Sequence, residues 1–306
     1  MSRTVRSTAA LAAGLALLAL AGPAAAKLRV GASITDLASI ASSVGGDQVE
    51  VFAIARPGAD VHRVEVLPSY MVQVARAGVY LKVGLGLDQW ADGIIDGSRN
   101  PRLRVVDCGQ GISPLEKPAT AGSALAAQGD VHPYGNPHYW LDPRNGAIVA
   151  GEIARALGAA DPAHAADFQA RAAAFAKEVQ AAYERDQKLA AGLPAKVLFT
   201  YHSSWIYLAD AFGLEIAGYA EPLPGIPPTA RHLEELVQVA RQRHVPLMLQ
   251  EPYFSEDAGR FLARETGLRV VRAAPSCDGV EAGSYLAHIE SVLRLMAAPG
   301  APGGGK

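Results

Sequence analysis

Short apolar runs and longer amphipathic stretches alternate along this chain, and they do so twice over. In the first half, valine-rich runs at 28–32, 49–55, 79–83 and 103–106 are continuous rather than alternating, as expected of strands buried on both faces of a parallel sheet. Between them the spacing predicts helices over 37–44, 68–77 and 87–97. The second half repeats the scheme, with strands at 196–200, 214–218, 246–250 and 268–273 and helices at 203–212, 229–244, 255–266 and 284–296. Strand–helix–strand units of this kind wind into parallel sheets. The expected fold class is therefore α/β, with two lobes, each a short, mainly parallel sheet flanked by helices.

The two halves are joined by helical sequence. Asp142 is a good N-cap and Pro143 suits the first helical position, opening a helix to about Leu157 that Gly158 and Pro162 interrupt. From 163 to 189 an alanine-rich, glycine-free stretch follows, carrying Arg171, Lys177, Glu178, Glu184, Arg185 and Lys188. As one helix it would be about 40 Å long, a stiff linker running the length of a domain pair. The expected organisation is a leader at 1–26, a first lobe at 27–160, a linker helix at 161–193, a second lobe at 194–297 and a disordered Pro/Gly tail at 298–306. Residues 109–135 show no periodicity and read as a loop.

The leader is read from Arg3 and Arg6, an apolar run from about Ala9 to Leu20, and the small residues Ala24, Ala25 and Ala26 before Lys27. It predicts export to the periplasm after cleavage at Ala26. The residue directly after that point is Lys27 rather than cysteine, so no lipid anchor is expected. Losing Arg3 and Arg6 takes the formal charge from −2 to −4. With so mild a balance and no basic stripe, nucleic acid is not an expected partner. A monomer is the expected state. Two cysteines, Cys108 and Cys277, make no disulfide framework. Incidental thiols are the ordinary reading. Both follow the last predicted strand of their lobes, so an interlobe disulfide or a thiolate ligand is the alternative.

The chemistry lies in the loops. His62, His138 and His202 each sit where a strand or loop gives way to a helix, and imidazole is a common ligand for transition metals. Glu251 and Asp278 also follow strand ends of the second half, where open α/β sheets place their ligands. Five potential ligands converging on one crevice suggest a metal site. His164, His232, His244 and His288 fall on predicted helices among charges and read as ordinary residues. His132 stands between accessory capture and no role.

Several segments carry a family resemblance: Pro57-Gly58-Ala59-Asp60-Val61-His62, Asn136-Pro137-His138-Tyr139-Trp140-Leu141-Asp142-Pro143, Thr200-Tyr201-His202 and Gln250-Glu251-Pro252. In order, and over essentially the whole mature chain, they resemble the periplasmic metal-binding receptors of the zinc/manganese ABC importers, cluster A-I. The resemblance implies two lobes joined by a rigid helix, with one metal ion held between them for delivery to a membrane permease. It makes His62 and His138 the first two ligands and His202 the third, where manganese receptors usually have glutamate. It makes Asp278 the fourth, in a loop shorter than is usual. Glu251 is expected to anchor a metal-bound imidazole.

Three imidazoles and one carboxylate suit tetrahedral Zn²⁺, so zinc is the expected cargo and manganese or another transition metal the alternative. A periplasmic zinc hydrolase is the rival from another class, but the chain has neither a His-Glu-x-x-His helix nor a nucleophile elbow. A receptor for a metal chelate is a second rival. Protons should compete with the metal at each histidine, approaching three released per ion in acid.

Overall fold

The computed structural model describes residues 26–117 and 132–299. The predicted leader up to residue 25, part of the 109–135 loop and the tail from residue 300 lie outside the described residues.

The first sheet is formed by β1 (Leu28–Ala32), β2 (Val49–Ala53), β3 (Val79–Lys82) and β4 (Arg104–Asp107), in the order β2-β1-β3-β4. The second is formed by β5 (Val197–Thr200), β6 (Glu215–Tyr219), β7 (Leu247–Gln250) and β8 (Arg269–Arg272), in the order β6-β5-β7-β8. Every pairing in both sheets is parallel, so the second lobe repeats the topology of the first. In each, the chain leaves the first strand to one side and returns to pair on its other side. That order puts the switch point, where ligands collect, at the C-terminal ends of β1 and β5.

The helices are α1 (Thr35–Gly45), α2 (Pro68–Val74), α3 (Trp90–Ser98), α4 (Pro143–Ala160), α5 (Ala165–Ala191), α6 (Ile206–Phe212), α7 (Ala230–Arg243), α8 (Asp257–Thr266) and α9 (Ser284–Ala297). The Asp142 cap forms as expected, its carboxylate accepting from the Arg144 backbone N–H at 2.9 Å. No helix among the described residues is long and apolar enough to cross a membrane.

At 27 residues, α5 is about 40 Å long and packs against α1, α4, α6 and α9. One hydrophobic core runs through both lobes beneath it, from Val30, Leu37 and Leu81 to Trp205, Leu249 and Val271. Helix α9, which follows the second sheet in sequence, packs on α1 and α5. The chain therefore crosses between the lobes a second time through residues 273–283. This return is pinned to α1 by side chains one turn apart: Thr35 Oγ1 donates to the Cys277 carbonyl (2.6 Å), Ser39 Oγ to Glu281 (2.7 Å) and Ser42 Oγ to Val280 (2.6 Å). Trp140 Nε1 holds the Pro275 carbonyl at 2.7 Å from the other side.

Tyr285 locks α9 in place. Its buried hydroxyl donates to the Trp140 carbonyl at 2.7 Å, and its ring lies against Gly146 of α4. A β-carbon on Gly146 would stand 2.5 Å from that ring. Alanine in a helix interior gains about 1 kcal/mol over glycine, whereas overpacking a rigid buried contact costs about 1–3 kcal/mol. The clash should win. Gly146→Ala is expected to lower the urea midpoint with an unchanged slope; a rise in midpoint would show that the α4–α9 contact yields.

Candidate metal centre

His62, His138 and His202 come together between the lobes. One ring nitrogen from each lies within 4.8 Å of the others, and the ring centroids are 5.1 to 5.5 Å apart. The first two come from the first half of the chain and His202 from the second, two residues beyond the end of β5. All three Nε2 atoms are buried without a hydrogen-bond partner among the described residues.

The Nδ1 atoms, by contrast, are all engaged. His62 Nδ1 lies 2.9 Å from Asp60 Oδ1, His138 Nδ1 3.0 Å from Asn136 Oδ1, and His202 Nδ1 2.7 Å from Glu221 Oε2. Carboxylates only accept, so His62 and His202 carry their proton on Nδ1. The Asn136 amide is oriented by its other end: Nδ2 donates to Glu116 Oε2 at 3.0 Å and to the Ser203 carbonyl at 2.8 Å, which leaves Oδ1 to face His138. The same tautomer follows in all three, with the Nε2 lone pair aimed into the cluster. Partners of this kind fix ring orientation and raise the basicity of a metal-bound imidazole.

Two of these supports are one local motif used twice. Asp60 and Asn136 each accept the backbone N–H of the histidine two residues on, at 3.0 and 3.1 Å, as well as its ring. The side chain that turns the backbone also aims the imidazole. Glu221 reaches His202 across the sheet, because β6 pairs with β5 and the Glu221 backbone N–H continues that ladder to the Tyr201 carbonyl.

Burial and mutual repulsion act on two of the rings. Burial, followed by the neighbouring imidazoles, holds His138 well below the ordinary histidine range. Burial also lowers His132, to about 3; its ring stacks on His62 at 5.3 Å. Burial would raise Asp60, but the hydrogen bond and charge of His62 outweigh it and bring the carboxyl below its usual value. The Asp60 and Glu221 carboxylates stand behind two of the rings, on the side away from the cluster centre.

The remaining candidates are placed elsewhere. Asp278 is exposed and does not join the cluster: the Cys277 peptide faces α1, its N–H on Asp36 and its carbonyl on Thr35, and the next side chain turns out beside His288. Glu251 does not anchor an imidazole. Each neighbour of β5 ends near an acid, Glu221 after β6 and Glu251 after β7, and His202 takes the former. Glu251 instead accepts from Ser204 Oγ at 2.8 Å, fully buried, and burial raises its pKa to about 8. Cys108 and Cys277 are both free and buried, so no interlobe disulfide forms, and neither joins the histidines. Burial pushes both thiols up, which disfavours a thiolate. Sequence reasoning missed Asp60, Asn136 and Glu221; the repeated Asx-x-His spacing was the legible signal for the first two.

Two α/β lobes around a buried set of inward-facing imidazole donors make a binding protein for a metal ion. The chain belongs to the ZnuA family, described as zinc-uptake complex component A, periplasmic, whose model matches residues 30–298. It is 28% identical to the iron-binding protein YfeA of Yersinia pestis over 249 residues, covering 79% of this chain and 75% of that one. It is 23% identical to the manganese ABC transporter substrate-binding lipoprotein PsaA of Streptococcus pneumoniae over 284 residues, covering 89% and 88%. A crystal structure of ZnuA superposes with a TM-score of 0.77 at 24% identity, covering 89% of this chain and 98% of that one. The chain is thus a substrate-binding protein of the metal ABC transporter class and not an enzyme.

The raised Glu251 pKa sets a pH dependence for folding. The folded state keeps a proton that the unfolded chain releases above its ordinary value of 4.5. This contribution to stability is therefore complete below about pH 4.5, is lost as pH rises toward 8, and is level beyond, with a slope of up to about 1.4 kcal/mol per pH unit. Urea titrations of metal-free protein from pH 5 to 8 should show that slope flattened in Glu251→Gln. An identical slope in the variant would mean that Glu251 is ionised throughout.

Proposed function

We propose that this protein captures a zinc ion between its lobes, through Nε2 of His62, His138 and His202, and presents it to the permease of an ABC importer. The observation that carries the reading is the set of three buried Nε2 atoms, each left bare by a hydrogen bond at the opposite ring nitrogen. An all-nitrogen set of this kind suits zinc, whereas manganese prefers more oxygen, and no carboxylate belongs to the cluster. Around tetrahedral zinc the donor atoms would stand about 3.3 Å apart, so the cluster, whose donor atoms lie within 4.8 Å of one another, would contract by up to about 1.5 Å. Asp60 and Glu221 supply the balancing charge from behind the rings, where they do not compete for the ion. Export to the periplasm and cleavage after Ala26 belong to the same reading, as does a monomeric state.

Competition titrations against a chromophoric chelator should give one zinc per chain, with manganese bound at least about 100-fold more weakly. Equal affinity for the two ions would overturn zinc as the cargo. Removal of an Nδ1 acceptor, as in Glu221→Ala, should weaken zinc binding by about 10–100-fold without unfolding the chain.

Proton release refines the test. His138 is neutral before metal arrives, because burial and its neighbours hold its pKa low. It has no proton to give at about pH 6, so calorimetry in buffers of differing ionisation enthalpy should count fewer than three protons per zinc. His138→Ala should lower affinity at least tenfold while leaving that count unchanged. A fall in the count would show that His138 is protonated in the metal-free protein.

A further inference from the structure

A fourth imidazole lies against two of the other three. His132 Nε2 is buried and has no hydrogen-bond partner among the described residues. Its ring is stacked on His62, 5.3 Å between centroids and 28° between planes, and meets His138 nearly edge-on at 6.4 Å. A buried ring nitrogen without a partner costs about 1–3 kcal/mol, and nothing among the described residues offsets that cost at His132.

The Gly86 backbone lies beside this ring, in a turn where three successive residues have positive φ: Gly84 at 79°, Leu85 at 52° and Gly86 at 85°. Leucine in the left-handed region costs about 1 kcal/mol or more. The turn ends β3 abruptly and is packed against Pro133 and Tyr134, which follow His132.

Three imidazoles leave one position of a tetrahedral zinc open. Of the nearby carboxylates, Asp60 and Glu221 hydrogen-bond to histidines, Glu251 accepts from Ser204 through Oε1, has its buried Oε2 without a partner among the described residues and stands outside the histidine cluster, and Asp278 is exposed. We propose that His132 supplies the fourth donor to the captured ion, leaving its stack on His62 to do so. This rests on the metal-receptor reading above. It makes the filled shell four imidazoles, with no carboxylate and no water, and it biases the site further toward zinc and against manganese.

Cobalt(II) provides the test, because its visible absorption reports the number and kind of its ligands. Full-length protein loaded with Co²⁺ should show the intense bands of a four-coordinate nitrogen site. His132→Ala should weaken Zn²⁺ and Co²⁺ binding by about 10–100-fold and shift those bands, and added imidazole should restore the original spectrum in His132→Gly. An unchanged spectrum and affinity in His132→Ala, with binding lost in His138→Ala, would overturn the role of His132 and leave the receptor reading intact. Failure of the unmutated chain to take up either ion would overturn both.

Discussion

Each inward-facing nitrogen of the His62, His138 and His202 cluster is free to donate only because the opposite nitrogen of the same ring is already hydrogen-bonded. An imidazole has one proton to place, and where it is placed decides whether the inward atom is a lone pair or an N–H. Asp60, Asn136 and Glu221 settle the question at three rings, and each does so with an atom that can only accept. Much of the surrounding structure serves these three bonds. Glu116 and the Ser203 carbonyl orient the Asn136 amide, Tyr207 Oη donates to the Asn136 carbonyl at 2.7 Å, and Trp90 Nε1 fixes the Val61 carbonyl beside His62.

The lobes are not free to drift around this centre. Helix α5 spans them on one side, and the return segment from β8 to α9 ties the second sheet back to α1. Asp36 belongs to that tie. It is fully buried, and burial raises its pKa to about 7 even though it accepts from the Cys277 backbone. A carboxyl at this joint is affordable because it can stay protonated, so the α1 contact brings no uncompensated charge into the core.

Both sheets could be read from the chain, since buried parallel strands are written as continuous apolar runs that local pattern captures. Of the three histidines only His202 directly follows such a run; His62 and His138 stand out through the local segments Asp60-Val61-His62 and Asn136-Pro137-His138. The missed residues depend on information that spacing does not carry. Choosing Glu221 over Glu251 as the partner of His202 requires knowing which side of β5 the ring faces, and both acids stand at equivalent strand ends. The outward direction of Asp278 follows the Thr35 and Asp36 bonds to Cys277, which join residues more than 240 apart in sequence. The Asp60-Val61-His62 and Asn136-Pro137-His138 triplets are local, and their shared Asx-x-His form could have been found by eye.

Each acceptor travels with its own histidine: Asp60 with His62 and Asn136 with His138 on the first lobe, Glu221 with His202 on the second. A surface drawn between the lobes through the cluster therefore cuts none of the three supporting bonds. A bound ion would be the adhesive across that surface, and its affinity and the lobe equilibrium would be two faces of one linkage. Whatever shifts the lobes apart by a given free energy must weaken binding by the corresponding factor, and the ion must resist separation by the same amount. A partner that pulls on the lobes can therefore discharge the ion without touching a single ligand.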